Sequence, residues 1–146
     1  MAIRLRTQHV EIHAPRELCF EVVASAGRII EKRSETQHVV EFVTETGGKT
    51  VRTVELVELN RPYKIGYRWL EGPLKSVQEE IVFEEIERDR TRLAYDGSFA
   101  GRGSRHWLVD RLWIKPLFDR EVRRHLENAK QIAEKRAARS RVYPST

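Results

Sequence analysis

Val57-Glu58-Leu59-Asn60-Arg61-Pro62-Tyr63-Lys64-Ile65-Gly66-Tyr67-Arg68-Trp69 decides the fold. Its first residues close an extended run that starts at Val51, and Asn60-Arg61-Pro62 forms a turn. Beyond the turn, Tyr63, Ile65, Tyr67 and Trp69 alternate with Lys64, Gly66, Arg68 and Leu70. Successive side chains of a strand point to opposite faces, so the alternation places the aromatic set on one side. The connection is too short for a parallel crossover, which needs about a dozen residues, so the two strands are antiparallel neighbours.

The same pattern continues on both sides. Upstream, Val39 to Thr46 is rich in β-branched residues and ends in Thr46-Gly47-Gly48-Lys49, a hairpin turn. Downstream, Glu71-Gly72-Pro73 turns the chain, and Val77, Ile81 and Phe83 follow at period two. Glu87-Arg88-Asp89-Arg90 then leads into Leu93, Tyr95, Gly97 and Phe99. Residues 36–100 therefore predict an antiparallel meander. Before it, residues 3–13 alternate loosely as a strand, and Pro15 opens a short helix carrying Leu18, Phe20, Val22 and Val23. A second short helix is expected over Arg28–Lys32.

After Gly101-Arg102-Gly103-Ser104, a strand-to-helix turn with Ser104 as N-cap, the period becomes helical to about Arg139. Phe118, Val122, Leu126, Ala129 and Ala133 form one apolar stripe that should pack on the sheet. Leu108, Val109, Leu112, Trp113 and Leu117 lie nearly opposite it, and the change of side falls at Pro116. The expectation is a break or sharp kink between Leu112 and Leu117, with Trp113 turned toward a cavity mouth or a partner chain. Residues 1–139 read as one domain and 140–146 as a frayed tail.

No apolar run approaches the length of a membrane span or a secretory signal, so the chain reads as cytoplasmic. The single cysteine, Cys19, excludes an intrachain disulfide and reads as a buried structural thiol. Charge is uneven: residues 1–100 hold 15 Lys/Arg against 17 Asp/Glu, and residues 101–146 hold 12 against 5, for a net +5. The basic excess belongs to the last helix and tail, where charge runs usually mark a solvated face.

The order of strand, short helices, antiparallel strands and long C-terminal helix resembles the START-like superfamily, the polyketide cyclase/dehydrase and lipid-transport or Bet v 1-like group. The resemblance is carried by Val10-Glu11-Ile12-His13-Ala14-Pro15-Arg16-Glu17 and by Val57–Arg68 with its central proline. Thr91-Arg92-Leu93 and the final helix with Pro116 complete it, over residues 3–138. The tryptophan-containing stretch often seen after the first helix of such proteins is replaced here by Gly27-Arg28-Ile29-Ile30-Glu31-Lys32-Arg33. The resemblance implies an α+β helix-grip fold, a curved antiparallel sheet wrapped around the C-terminal helix, with an apolar cavity between them. It also implies a ligand such as a lipid, a quinone or a polyketide, or else cyclisation or dehydration of one.

Tyr67, Trp69, Ile81, Phe83, Tyr95 and Phe99 are expected to share one interior face, either lining that cavity or packing it solid. Trp113 and Leu117 are the candidates for its mouth. Glu79 falls in phase with Val77, Ile81 and Phe83. Facing inward, it would be a candidate catalytic acid/base or an anchor for a polar ligand group, partnered by Tyr67 or Tyr95. The alternative is a bulge that shifts the register, or a rim position paired with Arg68 or Arg52, since unpaired buried carboxylates are rare. His9 and His13 are four apart but lie on the strand of residues 3–13, so the five histidines offer no helical i, i+4 metal pair, and His125 reads as a boundary residue of the last helix.

The function expected is binding, sequestration or transport of an apolar small molecule, with no cofactor and no metal. A cyclase/dehydratase-type enzyme built on Glu79 is the alternative. A lesser one is nucleic-acid or anionic-membrane binding through Arg120, Arg123, Arg124, Lys135, Arg136, Arg139 and Arg141. The partners considered are the apolar ligand, a homodimer and a transient contact with anionic membrane, with no specific nucleic acid.

Overall fold

A computed structural model describes residues 2–103 and 105–142. Its strands are β1 (Ala2–Arg4), β2 (Gln8–Ile12), β3 (Arg28–Lys32), β4 (Gln37–Thr46), β5 (Lys49–Asn60), β6 (Lys64–Glu71), β7 (Gln78–Glu87) and β8 (Arg90–Ala100). They form one antiparallel sheet in the order β1-β8-β7-β6-β5-β4-β3, with β2 also on β8. Helix α1 (Arg16–Ala24) follows β2. The C-terminal helical region comprises α2 (Trp107–Val109), a π-helical turn (Asp110–Ile114) and α3 (Lys115–Val142). This is the α+β helix-grip architecture.

Turn chemistry fixes the meander. Gly47 and Gly48 both have positive φ, at 58° and 77°, the backbone a two-residue hairpin requires between β4 and β5. The turn at Asn60-Arg61-Pro62 sets the β5–β6 register, with Leu59 opposite Ile65, Val57 opposite Tyr67 and Glu55 opposite Trp69. Residues directly opposite share a face, so one inward side chain commits its partner.

The inner face packs against α1 and α3. Ile65, Phe83, Leu93 and Phe20 are almost completely buried, and Phe20 meets Phe83 with ring centroids 5.2 Å apart. From α3, Val122, Leu126, Ala133 and Ala137 join the same core. Polar contacts then tie α3 to the first strand segment. The amides of Arg6 and His13 donate to Asp119 and Glu134, Gln8 donates to the Asp119 carbonyl, and Arg123 donates to the His9 carbonyl. Cys19 is buried as expected, and burial pushes its thiol up to about 11.

Four expectations are corrected. Arg28–Lys32 is an edge strand paired with β4, not a helix; all five of its residues are exposed, so no buried face betrayed its period. Tyr63 does not join the inward aromatic set: it lies in the turn, 51% exposed, under the Arg16 guanidinium. His125 is exposed rather than at a packed boundary. The helix does not break at Pro116. It widens just before it, where the Lys115 amide reaches back to the Asp110 carbonyl. Pro116 lacks an amide donor and crowds the carbonyl four residues earlier, and a π-turn relieves both while the helical backbone runs on unbroken. The stripe Leu108–Trp113 stays in solvent, with Trp113 72% exposed. Ser104, expected as N-cap, and Tyr143–Thr146 of the expected tail lie outside the described residues.

Candidate functional site

The inner face of the sheet has two halves. Toward α1 it is filled by Phe20, Ile65, Phe83 and Leu93. Toward the start of α3 the inward side chains Phe42, Tyr67, Trp69 and Glu79 remain only partly covered, as does Phe118 from α3. Phe118 stacks on Trp69, with centroids 5.6 Å apart, and on Phe99, at 6.2 Å.

Glu79 stands at the centre of this second half. Its strand pairs without irregularity from Gln78 to Glu85, so the period-two phase holds and the carboxylate faces inward. The rim alternative is thereby corrected: Arg52 is engaged by Glu41 and Glu71 instead. Trp69 Nε1–H donates to one Glu79 oxygen at 3.0 Å, and the Tyr95 hydroxyl donates to the other at 2.7 Å. Tyr95 lies two residues along β8 from Gly97, the residue opposite Glu79. A Cβ on Gly97 would sit 2.5 Å from the Tyr95 hydroxyl oxygen and 3.2 Å from a Leu5 methyl. The absent side chain at 97 is what lets Tyr95 lie over its own strand and reach the carboxylate.

A second interior carboxylate, Glu55, escaped the sequence reading. It is 6% exposed, and one of its oxygens accepts a 2.6 Å hydrogen bond from Thr53. Val54 and Leu56 on either side of it are also buried, in a small cluster with Val39 on the outer face of the sheet. With apolar side chains on both faces, alternation along β5 does not say which way Glu55 points. The register does: Glu55 lies opposite Trp69, and that pairing can be counted from the Asn60-Arg61-Pro62 turn.

Burial and the neighbouring Glu79 charge push Glu55 up to about 8, offset in part by the Thr53 hydrogen bond. Burial raises Glu79 as well, while the bonds from Tyr95 and Trp69 favour its ionised form. Burial therefore raises both carboxyls, and two charges side by side are disfavoured in this interior. Burial and the Glu79 charge keep the phenols of Tyr67 and Tyr95 un-ionised.

Of the residues expected at a site, Tyr67, Trp69, Glu79, Ile81, Phe83, Tyr95 and Phe99 share the inner face. Leu117 is half-buried at the start of α3, and Trp113 points to solvent. A shallow depression of about 580 Å³ is lined by the outward Arg4, Glu58, Arg68, Gln78, Glu80 and Asp96, and also by Tyr67, Glu79 and Gly97. Its mixed charge and exposure suit water better than an apolar ligand. No described helix is long and apolar enough to cross a membrane.

No family model and no curated protein matches the chain. Solved structures do. The chain is similar to the Zhui aromatase/cyclase from Streptomyces sp. R1128 at a TM-score of 0.80 and 20% identity, over 93% of this chain and 96% of that one. It is similar to the di-domain aromatase/cyclase BexL of the BE-7585A biosynthetic pathway at 0.73 and 15%, over 91% of this chain and 50% of that one. It is similar to a START superfamily protein from Mycobacterium smegmatis at 0.63 and 15%, over 94% and 99%. Such identities speak for architecture rather than activity. The sheet order, the gripped C-terminal helix and these likenesses identify the fold of this chain as the START-like helix-grip fold.

Proposed function

We propose that this protein binds an apolar small molecule, with an aromatic or polyketide-like body, in the half of the grip bounded by Tyr67, Trp69, Phe99 and Phe118. The carrying observation is that inward-facing aromatic side chains there stay partly uncovered while Phe20, Ile65, Phe83 and Leu93 in the α1 half are almost completely buried. Ligand sites are typically apolar and concave, with a few convergent polar groups, and Glu79, Glu55 and Tyr67 supply those groups here. Ile81 and Tyr95 form the floor of the proposed site and Leu117 lies at its edge, whereas Phe83, expected there, belongs to the α1 half. The fold neighbours that bear aromatase/cyclase names make a polyketide-like ligand the first class to try.

Native mass spectrometry of freshly purified protein tests the reading, with N-phenylnaphthylamine fluorescence as a second measure. A co-purifying apolar mass, or saturable dye binding weakened by Phe118→Ala, is the expected result. No bound mass together with no saturable dye binding would overturn it.

A second reading is favoured by one specific arrangement, the inward Glu79 carboxyl held by Trp69 and Tyr95 with the buried Glu55 carboxyl near it. Two carboxyls on one inward face suit cyclisation with loss of water: Glu79 takes a proton from the carbon that bonds to a carbonyl carbon of the same molecule, and Glu55 or Tyr67 gives a proton to the resulting hydroxyl as it leaves as water. Glu79→Gln would then abolish turnover of a polyketide-like substrate while leaving its binding largely intact. Equal turnover by the variant would remove the enzymatic reading.

A further inference from the structure

We propose that Trp107–Trp113 is a membrane-contact element that docks the half-covered end of the grip on an anionic lipid surface. Trp107, Leu108, Leu112 and Trp113 are 53%, 58%, 63% and 72% exposed, and Val109 is exposed beside them. Single exposed apolar residues are ordinary, but five among seven consecutive residues form a contiguous patch of the kind that marks an interaction site.

The patch is held rigidly outward. On the other side of the same segment Asp110 is fully buried, and Ile114 packs on the core. Asp110 accepts the Arg102 amide at 3.0 Å and its Nε at 2.7 Å, tying the segment to the chain that leaves β8. Phe118, one turn beyond Ile114, stacks on Trp69 and Phe99, so the patch stands at the half-covered end of the sheet.

Charge selects the occupant. Between Ala100 and Lys115 the only acid is Asp110, already paired with Arg102. Lys115 is paired with Asp119, and Arg105 and Arg111 are exposed with no ion pair among the described residues. Two indoles and aliphatic side chains flanked by arginines match a headgroup boundary, where Trp and Arg settle together and anionic lipid adds attraction. A second copy fits less well. A two-fold interface would set each patch with its arginines against the same patch, and fewer than two helical turns supply far less than the roughly 20–30 residues a stable interface uses on each side.

The proposal does not depend on the identity of the interior ligand, and its test needs none. The full chain is sedimented with phosphatidylcholine vesicles with and without phosphatidylserine, and tryptophan emission is followed. Wild type should partition onto the phosphatidylserine vesicles with a blue shift from Trp107 and Trp113. Leu112→Glu with Trp113→Glu should lower the partition about tenfold or more, from the lost apolar insertion. Arg105→Glu with Arg111→Glu should remove the preference for phosphatidylserine. All four side chains already face solvent, so the variants keep the fold, and circular dichroism checks this. No binding to phosphatidylserine vesicles, or binding that Leu112→Glu with Trp113→Glu leaves unchanged, overturns the proposal. A dimer in sedimentation velocity that the same substitutions dissociate, with vesicles left unbound, overturns it in favour of contact between copies.

Discussion

Replacing Glu55 by Gln should make the protein more stable, and increasingly so as the pH rises. Glu55 has a folded-state value of about 8 against a reference of 4.5, chiefly because burial disfavours its charge. Between those values the folded chain binds more protons than the unfolded one, so the free energy of unfolding falls as pH rises through the window. At 1.36 kcal/mol per unit, the full span corresponds to about 4–5 kcal/mol, an upper bound that a partly compact unfolded state reduces. Gln is neutral throughout, has nearly the same shape and can still accept the Thr53 hydrogen bond, so the substitution removes the proton and little else. Urea denaturation between about pH 5 and pH 9 measures the effect. Near pH 5 the two proteins should have similar midpoints. By pH 8 wild type should have lost several kcal/mol that the variant keeps. Glu79→Gln should also flatten the wild-type curve, because it removes the like charge that helps hold Glu55 up. A wild-type stability independent of pH over this range, or a Glu55→Gln variant that declines as steeply as wild type, would refute the burial and orientation assigned to Glu55.

Two further outcomes are expected. Gly97→Ala should displace the Tyr95 hydroxyl and break its bond to Glu79, destabilising the fold by about 1–3 kcal/mol, the range for overpacking or for a lost buried hydrogen bond. The same substitution in a Tyr95→Phe background should cost less, and equal costs in the two backgrounds would show that Tyr95 is not what Gly97 makes room for. Cys19, with its thiol raised to about 11 and 1% exposed, should react with an aromatic disulfide reagent at mildly alkaline pH only on unfolding; prompt labelling of the native protein would contradict its packing.

The fold was legible because each strand of the meander declares itself locally. Gly47-Gly48 and Asn60-Arg61-Pro62 fix the turns, and period two in residues 77–83 and 93–99 fixes the phase, so the inward placement of Glu79, Phe83, Tyr95 and Phe99 needs only the rule that side chains alternate. What the local pattern lacked was information wherever burial has no single sided period. β3 is exposed along its whole length, so Ile29-Ile30 read as part of a helix. β5 buries residues on both faces, so alternation there was silent about Glu55, although its pairing with Trp69 was already implied by the turn. The helical stripes also showed that residues 108–113 and 118–133 face opposite ways. Only the tertiary structure decided how that conflict ends. Asp110 and Ile114 take the inward positions, a π-turn ahead of Pro116 restores the phase for α3, and Trp113 is left in solvent, because one helix can present only one face to the sheet.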